Sequence, residues 1–255
     1  MKRRSFLAIA AAAIGCDLIG CNQSKQTAAP LKKAAPEYFR VDAAKAASVR
    51  GKTRFEGTLP AAKRISMDAE EACQALHKSP VFDERVLTGK GGELANALVY
   101  IKAGLEGKVF APAAEAVVLE QLGCQFAPRV IALRTGQTLT VKNSDPVSHN
   151  VHPSPQNNRD WNQQQAPQAP DIERRFSHPE IAIPVKCNVH AWMKAYVGVL
   201  DHPFFAVTSR KGEFVLDGLP PGQYTVAAWH EAFGETTQSI TLQAGEAGTA
   251  SFEFR

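Results

Sequence analysis

Residues 181–200 read IAIPVKCNVHAWMKAYVGVL. Two short runs rich in β-branched and aromatic residues, IAIPVK and AYVGVL, flank a segment that holds Cys187, His190 and Met193. Such runs favour β-strands. The stretch therefore predicts two strands joined by a short loop, and this loop brings a thiol, an imidazole and a thioether close together.

Working outward, short β-rich runs with turn residues between them continue from residue 48 to the end of the chain. Gly-Lys-Gly-Gly at 89–92 and Leu-Pro-Pro-Gly at 219–222 are typical of turns. One helix is predicted, over Asp68–His77, with Asp68 as its N-cap. Many short strands at this spacing predict an all-β fold of one or two β-sandwiches.

Composition excludes several classes of protein. Of the 255 residues 44% are hydrophobic and 21% charged, which are ordinary globular values. A net charge of +4 is too mild to predict nucleic-acid binding. Five cysteines without a Cys-x2-Cys pair exclude a zinc ribbon and a thioredoxin motif.

The N-terminus has the layout of an export signal. A basic start at Lys2, Arg3 and Arg4 precedes the apolar run Phe6–Ile14, which is too short to span a membrane. We predict a signal peptide over 1–20 and a flexible tether over 21–47, which is rich in Ala, Lys, Gln and Pro.

Two resemblances extend this prediction. Leu18-Ile19-Gly20-Cys21 resembles a bacterial lipobox, which implies lipidation of Cys21, and Cys16 ends a weaker match. Arg3-Arg4-Ser5-Phe6-Leu7 resembles a twin-arginine export signal. They imply a periplasmic or cell-surface protein, lipid-anchored to a membrane, in an oxidising compartment. An ordinary cleaved signal is the alternative.

A second imidazole comes from an earlier segment, Asn143–Asn150, which contains His149. Two His, one Cys and a weak Met form the ligand set of a blue-copper site. Thiolate and thioether favour Cu(I), whereas imidazole serves both oxidation states. Structural zinc is the alternative, but zinc prefers four strong ligands and Met is a poor one.

The segment Ala114–Leu200 resembles a cupredoxin of the plastocyanin and amicyanin kind, through its Cys-x2-His-x2-Met spacing and the pair His149-Asn150. The resemblance implies one type-1 copper site. The implied strong ligands are His149, Cys187 and His190, and the implied weak axial ligand is Met193. Asn150 is implied to tie the two ligand loops together without touching the metal. His152 is an additional candidate, although in a strand it would point away from His149.

The C-terminal stretch resembles the carboxypeptidase-regulatory-like sandwich family. Gly212-Glu213-Phe214 is followed by Leu-Pro-Pro-Gly-Gln-Tyr-Thr-Val at 219–226. We therefore expect a cupredoxin Greek-key sandwich over 105–201, inserted in or packed on an Ig-like or transthyretin-like sandwich formed by 48–104 plus 202–255. The whole resembles secreted bacterial proteins that join a plastocyanin-like domain to a regulatory-like one.

Cys73 and Cys124 remain, and a disulfide between the two β units is the prediction in an oxidising compartment. A second metal site formed by Cys73, His77 and Cys124 is the rival, because Cys73 and His77 would share a helix face.

The predicted function is outer-sphere electron transfer by a membrane-anchored copper protein that is not an enzyme. The surface near His190 would contact a redox partner, such as a cytochrome or a quinoprotein dehydrogenase, with Trp192 serving either docking or packing. Copper binding and delivery without redox turnover, or an adhesion or scaffold role, are the alternatives. The polar segment 153–171 is expected to be a long surface loop.

Overall fold

The computed structural model describes residues 37–255. The signal peptide predicted over 1–20, the lipidation predicted at Cys21 and most of the tether lie outside the described residues. Within 37–255, no helix is long and apolar enough to cross a membrane.

Strands dominate the described residues, and the all-β class is confirmed. The sixteen strands of residues 37–255 are β1 Ala47–Phe55, β2 Leu98–Ala103, β3 Val117–Gln121, β4 Phe126–Ala127, β5 Val130–Arg134, β6 Leu139–Asn143, β7 His149–Pro153, β8 Gln163–Gln165, β9 Ile172–Arg174, β10 Glu180–Lys186, β11 Lys194–Leu200, β12 Phe205–Val207, β13 Glu213–Leu219, β14 Gly222–His230, β15 Gly234–Leu242 and β16 Ala247–Phe254.

The first sandwich is built from both ends of the described chain. Its sheets have the strand orders β13-β1-β16 and β12-β2-β14-β15. Strand β1 pairs antiparallel with β13 and parallel with β16. Apolar residues alternate inward along these strands, so that Val49, Val99, Leu216, Val226 and Phe252 form a shared core.

The second sandwich uses the strands between β2 and β12. Its sheets have the orders β5-β11-β10-β7-β8 and β4-β3-β6-β9. Leu119, Val141, Ile183 and Val197 lie in its core, together with Cys187. The chain thus enters the first sandwich with β1 and β2, forms the second, and returns with β12.

The segment between β1 and β2 differs from the sequence prediction. The helix predicted over Asp68–His77 is only α1, Glu71–Gln74, and a 3₁₀ turn follows at Glu84–Val86. No side chain caps α1, and Cys73 is its only buried residue, so nothing compensates the cost of nucleating a longer helix. The polar loop 153–171 also contains β8, which pairs with β7.

Candidate metal centre

Two strands deliver the candidate ligands to one end of the second sandwich. His149 is the first residue of β7, and Cys187 directly follows β10. The loop after Cys187 is closed by two backbone bonds, from Met193 N–H to His190 O (3.0 Å) and from Cys187 N–H to Met193 O (3.3 Å). This tight turn returns the chain into β11.

Three of the four predicted ligands converge. The Nδ1 atoms of His149 and His190 lie 3.0 Å apart. The donor atoms of His149, Cys187 and His190 all lie within 4.8 Å of one another. The Met193 side chain is buried in the same core as Cys187. All four predicted ligand side chains are therefore withdrawn from water at one end of the sandwich.

The Cys187 sulfur accepts backbone hydrogen bonds from Asn150 N–H (3.3 Å) and His190 N–H (3.4 Å). Burial by itself raises the pKa of the Cys187 thiol, but hydrogen bonds from His149 and from backbone N–H groups outweigh it, so that the pKa is lowered. These donors favour the thiolate, which is the form that ligates metals.

Asp145 orients the His149 ring. Its buried carboxylate accepts from His149 Nε2–H (2.7 Å) and from the backbone N–H groups of Gly123 (2.6 Å) and Cys124 (2.7 Å). Burial opposes ionisation, but these hydrogen bonds, with that from His149 the largest, lower the pKa of Asp145. With Nε2 engaged, Nδ1 of His149 faces His190.

Asp145 is a functional residue that the sequence patterns do not predict. The signal for it is its position four residues before His149 in the turn between β6 and β7. That turn places the carboxylate behind the imidazole, while the opposite ring edge faces the other ligands.

Asn150 connects the two ligand loops. Its Oδ1 accepts from Asn188 N–H (3.1 Å), and its Nδ2 donates to Asn162 Oδ1. The second bond also ties the 153–171 loop to the candidate site. These are the contacts expected of a residue that holds the ligand loops in register.

Residues of the segment between β1 and β2, called the covering segment below, lie over His190. Cys73 and Cys124 form a disulfide, and both are fully buried. Nε2 of His190 lies 3.8 Å from Cys73 Sγ and 4.0 Å from Glu70 Oε2. The ring centroids of His190 and Trp192 lie 5.1 Å apart. His190 is consequently only 2% exposed, and a partner surface near it stays a prediction.

The other histidines lie outside the His149–Cys187–His190 group. Nε2 of His77 lies 2.8 Å from Gly123 O, so His77 is not in the cluster that Cys73 and Cys124 form with His190. His152 contacts Asn188 (3.4 Å) and Asp160 (3.3 Å). The rival site built on His77 is thus replaced by a disulfide that approaches a different histidine.

The donor set fits copper. A thiolate and a thioether are soft, two imidazoles are borderline, and all are buried among apolar side chains. A structural zinc site would require four strong ligands, and the Met193 thioether is a weak one.

A model of the carboxypeptidase regulatory-like domain family matches residues 194–255. The match begins in β11 of the second sandwich and continues through β12–β16. No curated protein matches the chain.

Solved structures match part of the chain at low similarity. They include a copper-containing nitrite reductase from Thermus scotoductus SA-01 (18% identity, 40% of this chain, 25% of that chain, TM-score 0.33). A purple cupredoxin from Nitrosopumilus maritimus matches at 23% identity over 29% of this chain and 81% of that chain, with a TM-score of 0.26. A Cu(I) form of an amicyanin point mutant matches at 18% identity over 40% of this chain and 97% of that chain, with a TM-score of 0.30. The chain spans only a quarter of the nitrite reductase.

Proposed function

We propose that this protein is a type-1 copper protein that performs outer-sphere electron transfer. One observation carries the proposal: a thiol and two imidazoles converge in the buried core of the second sandwich, where the two Nδ1 atoms lie 3.0 Å apart and the Met193 side chain is also buried. His149, Cys187 and His190 would hold the ion strongly, and Met193 weakly. A bound copper ion would supply a one-electron couple.

The residues around the candidate ligands support an electron-carrier role because they keep the ligands in place. Asp145 holds the His149 ring, and Asn150 ties the strand of His149 to the loop of Cys187. Both ligand loops are thus held before a metal arrives. A site that changes little between oxidation states needs little reorganisation when an electron moves.

The proposal includes the anchor and the partner suggested by the sequence. A lipid on Cys21 would confine the protein to a membrane face outside the cytoplasm. Confinement raises the effective concentration toward a membrane-bound donor or acceptor, such as a cytochrome or a quinoprotein dehydrogenase.

The cover over His190 favours a second candidate function, which is copper binding and delivery without redox turnover. With the imidazole edge beneath Glu70 and Cys73, a partner cannot touch it in the closed structure. A protein that stores or transfers copper has no need of an exposed imidazole edge.

A visible spectrum tests the copper site. The oxidised, copper-loaded protein should show an intense thiolate-to-copper charge-transfer band. Cys187→Ser should abolish the band, because the thiolate is its source, whereas the matched control His152→Ala should retain it. A colourless protein that holds zinc tightly, or a band that survives Cys187→Ser, would contradict the proposed site.

Electron exchange then separates the two functions. A carrier should exchange electrons rapidly and reversibly with a soluble cytochrome and keep its copper. A protein that loses copper to a Cu(I) chelator faster than it exchanges electrons is a delivery protein.

A further inference from the structure

His190 presents its two ring nitrogens to two different clusters. Nδ1 faces His149 at 3.0 Å, whereas Nε2 faces Cys73 Sγ at 3.8 Å. The donor atoms of Cys73, Cys124 and His190 lie within 4.8 Å of one another, and all three residues are buried. A second group of metal-binding atoms thus adjoins the candidate copper site and shares one residue with it.

The Nε2 edge of His190 lies against groups that can ligate a metal. The His190 ring is only 2% exposed, and its Nε2 lies 3.8 Å from Cys73 Sγ and 4.0 Å from Glu70 Oε2. Two sulfurs and a carboxylate therefore surround this nitrogen, and thiolate, imidazole and carboxylate are the usual ligands of a thiophilic ion.

We propose that reduction of the Cys73–Cys124 disulfide creates a second metal site, in which both thiolates and Nε2 of His190 bind a thiophilic ion such as Zn²⁺ or Cu(I). Glu70, whose side chain is 46% exposed, supplies a carboxylate oxygen at the open side. Two thiolates, one imidazole and one carboxylate are a suitable set for a four-coordinate ion. The proposal does not depend on electron transfer at Cys187.

The chemistry balances with a dithiol reductant. The Cys73–Cys124 bond breaks, the reductant's two thiols become a disulfide, and their two electrons and two protons pass to the cysteines. The incoming ion then displaces the two thiol protons into water.

The separation already present is close to what an ion requires. Metal–sulfur and metal–nitrogen bonds of about 2.3 and 2.0 Å at tetrahedral angles place sulfur and nitrogen about 3.5 Å apart. Cys73 Sγ and His190 Nε2 lie 3.8 Å apart. The sulfur atoms need only to separate once their bond is broken.

The covering segment offers a route to the buried disulfide. Between β1 and β2 it contains α1, one 3₁₀ turn and isolated bridges such as Arg64–Phe82. Segments with so few backbone hydrogen bonds open locally at lower free energy than the sheets do. Local opening would admit the reductant, and closure would return Cys73 to His190.

Zinc titration of a three-serine variant tests the proposal. Cys16→Ser, Cys21→Ser and Cys187→Ser leave Cys73 and Cys124 as the only cysteines. A dithiol reduces the protein, and gel filtration then removes the dithiol. The free thiols are quantified, and the protein is titrated with Zn²⁺ in competition with a chromogenic chelator. We expect about one Zn²⁺ per chain after reduction, and none before reduction or after adding Cys73→Ser.

Two matched histidine variants distinguish this site from the one that the sequence pattern suggests. His190→Ala should weaken zinc binding at least about tenfold, and His77→Ala should leave it unchanged. Both variants retain the disulfide, so circular dichroism of the oxidised proteins verifies their folding. Reduced protein with two free thiols but no bound zinc would overturn the proposal, and so would binding that depends on His77.

Discussion

Asp145 couples the first candidate ligand to the segment that carries the disulfide. Its carboxylate holds the His149 ring on one side and the backbone of Gly123 and Cys124 on the other. The position of the first imidazole therefore depends on a residue that would not itself touch the ion. Such supporting contacts commonly determine metal affinity.

Asp145→Asn tests this dependence. The amide has nearly the same shape but no charge, so it accepts the His149 proton more weakly. We expect copper affinity to fall by about tenfold to a hundredfold in a competition titration, with the charge-transfer band retained. Asp160→Asn, an exposed carboxylate beside His152, is the matched control and should leave affinity unchanged.

His230 makes stability depend on pH. It is fully buried beside the rings of Phe233 and Phe254. Burial, reinforced by the charge of Arg129, lowers the pKa of His230 from 6.5 to about 4. Below pH 6.5, therefore, His230 is protonated in the unfolded chain but stays neutral in the folded chain until the pH approaches 4. This contribution reduces stability progressively from pH 6.5 down to pH 4.

His230→Phe should remove that contribution. Between pH 7 and pH 4 the wild type should lose up to about 3 kcal/mol more unfolding free energy than the variant. Urea unfolding at several pH values measures the difference, which isolates His230 from other titrating groups. The exposed His178→Gln is the control, and a variant with the same pH slope as the wild type would contradict the assignment.

At the level of elements, β1 requires glycine where it pairs with β16. A Cβ added to Gly51 would lie 1.5 Å from the carbonyl oxygen of Ala250. The parallel pairing of β1 with β16 places these residues opposite each other. Only a residue without a side chain permits that approach.

Gly51→Ala should therefore destabilise the first sandwich by about 1–3 kcal/mol, because the strands must separate. Denaturant unfolding measures the loss. Lys52→Ala, which removes an exposed ion pair between β1 and Glu213 of β13, should cost less than about 1 kcal/mol. Equal losses in both variants would refute the steric argument.

At the level of the whole molecule, a buried ion network joins the two sandwiches and the covering segment. Arg129, between β4 and β5, donates from Nε and Nη2 to both carboxylate oxygens of Glu231, which follows β14. Its Nη1 also lies 3.1 Å from Oδ1 of Asp83. Burial by itself lowers the pKa of Arg129, but the charges of Glu231 and Asp83 outweigh burial, so that the pKa is raised and the guanidinium remains charged.

Arg129→Met should cost about 3–5 kcal/mol of unfolding free energy, because Glu231 is left buried and unpaired. The double variant Arg129→Met with Glu231→Leu should recover most of this loss, since no buried charge remains. Thermal unfolding of the three proteins measures both effects. A double variant no more stable than the single one would show that packing, and not charge, connects the sandwiches.

Strand-forming runs and the Cys-x2-His-x2-Met loop could be identified from sequence because both depend on local residue order. The helix over Asp68–His77 was wrong because a local pattern does not reveal that only Cys73 would be buried. Asp145 was missed because its partner atoms come from β7 and from the turn at Gly123, which are distant in sequence from one another.

The sequence by itself determined the all-β class and the types of residue that could bind a metal. Strand propensity, turn residues and donor chemistry are properties of short segments. Only the tertiary structure decided that His190 is covered and that its Nε2 faces the Cys73–Cys124 disulfide. That arrangement depends on folding a segment before β2 onto the end of the second sandwich, and such long-range packing is not encoded in local spacing.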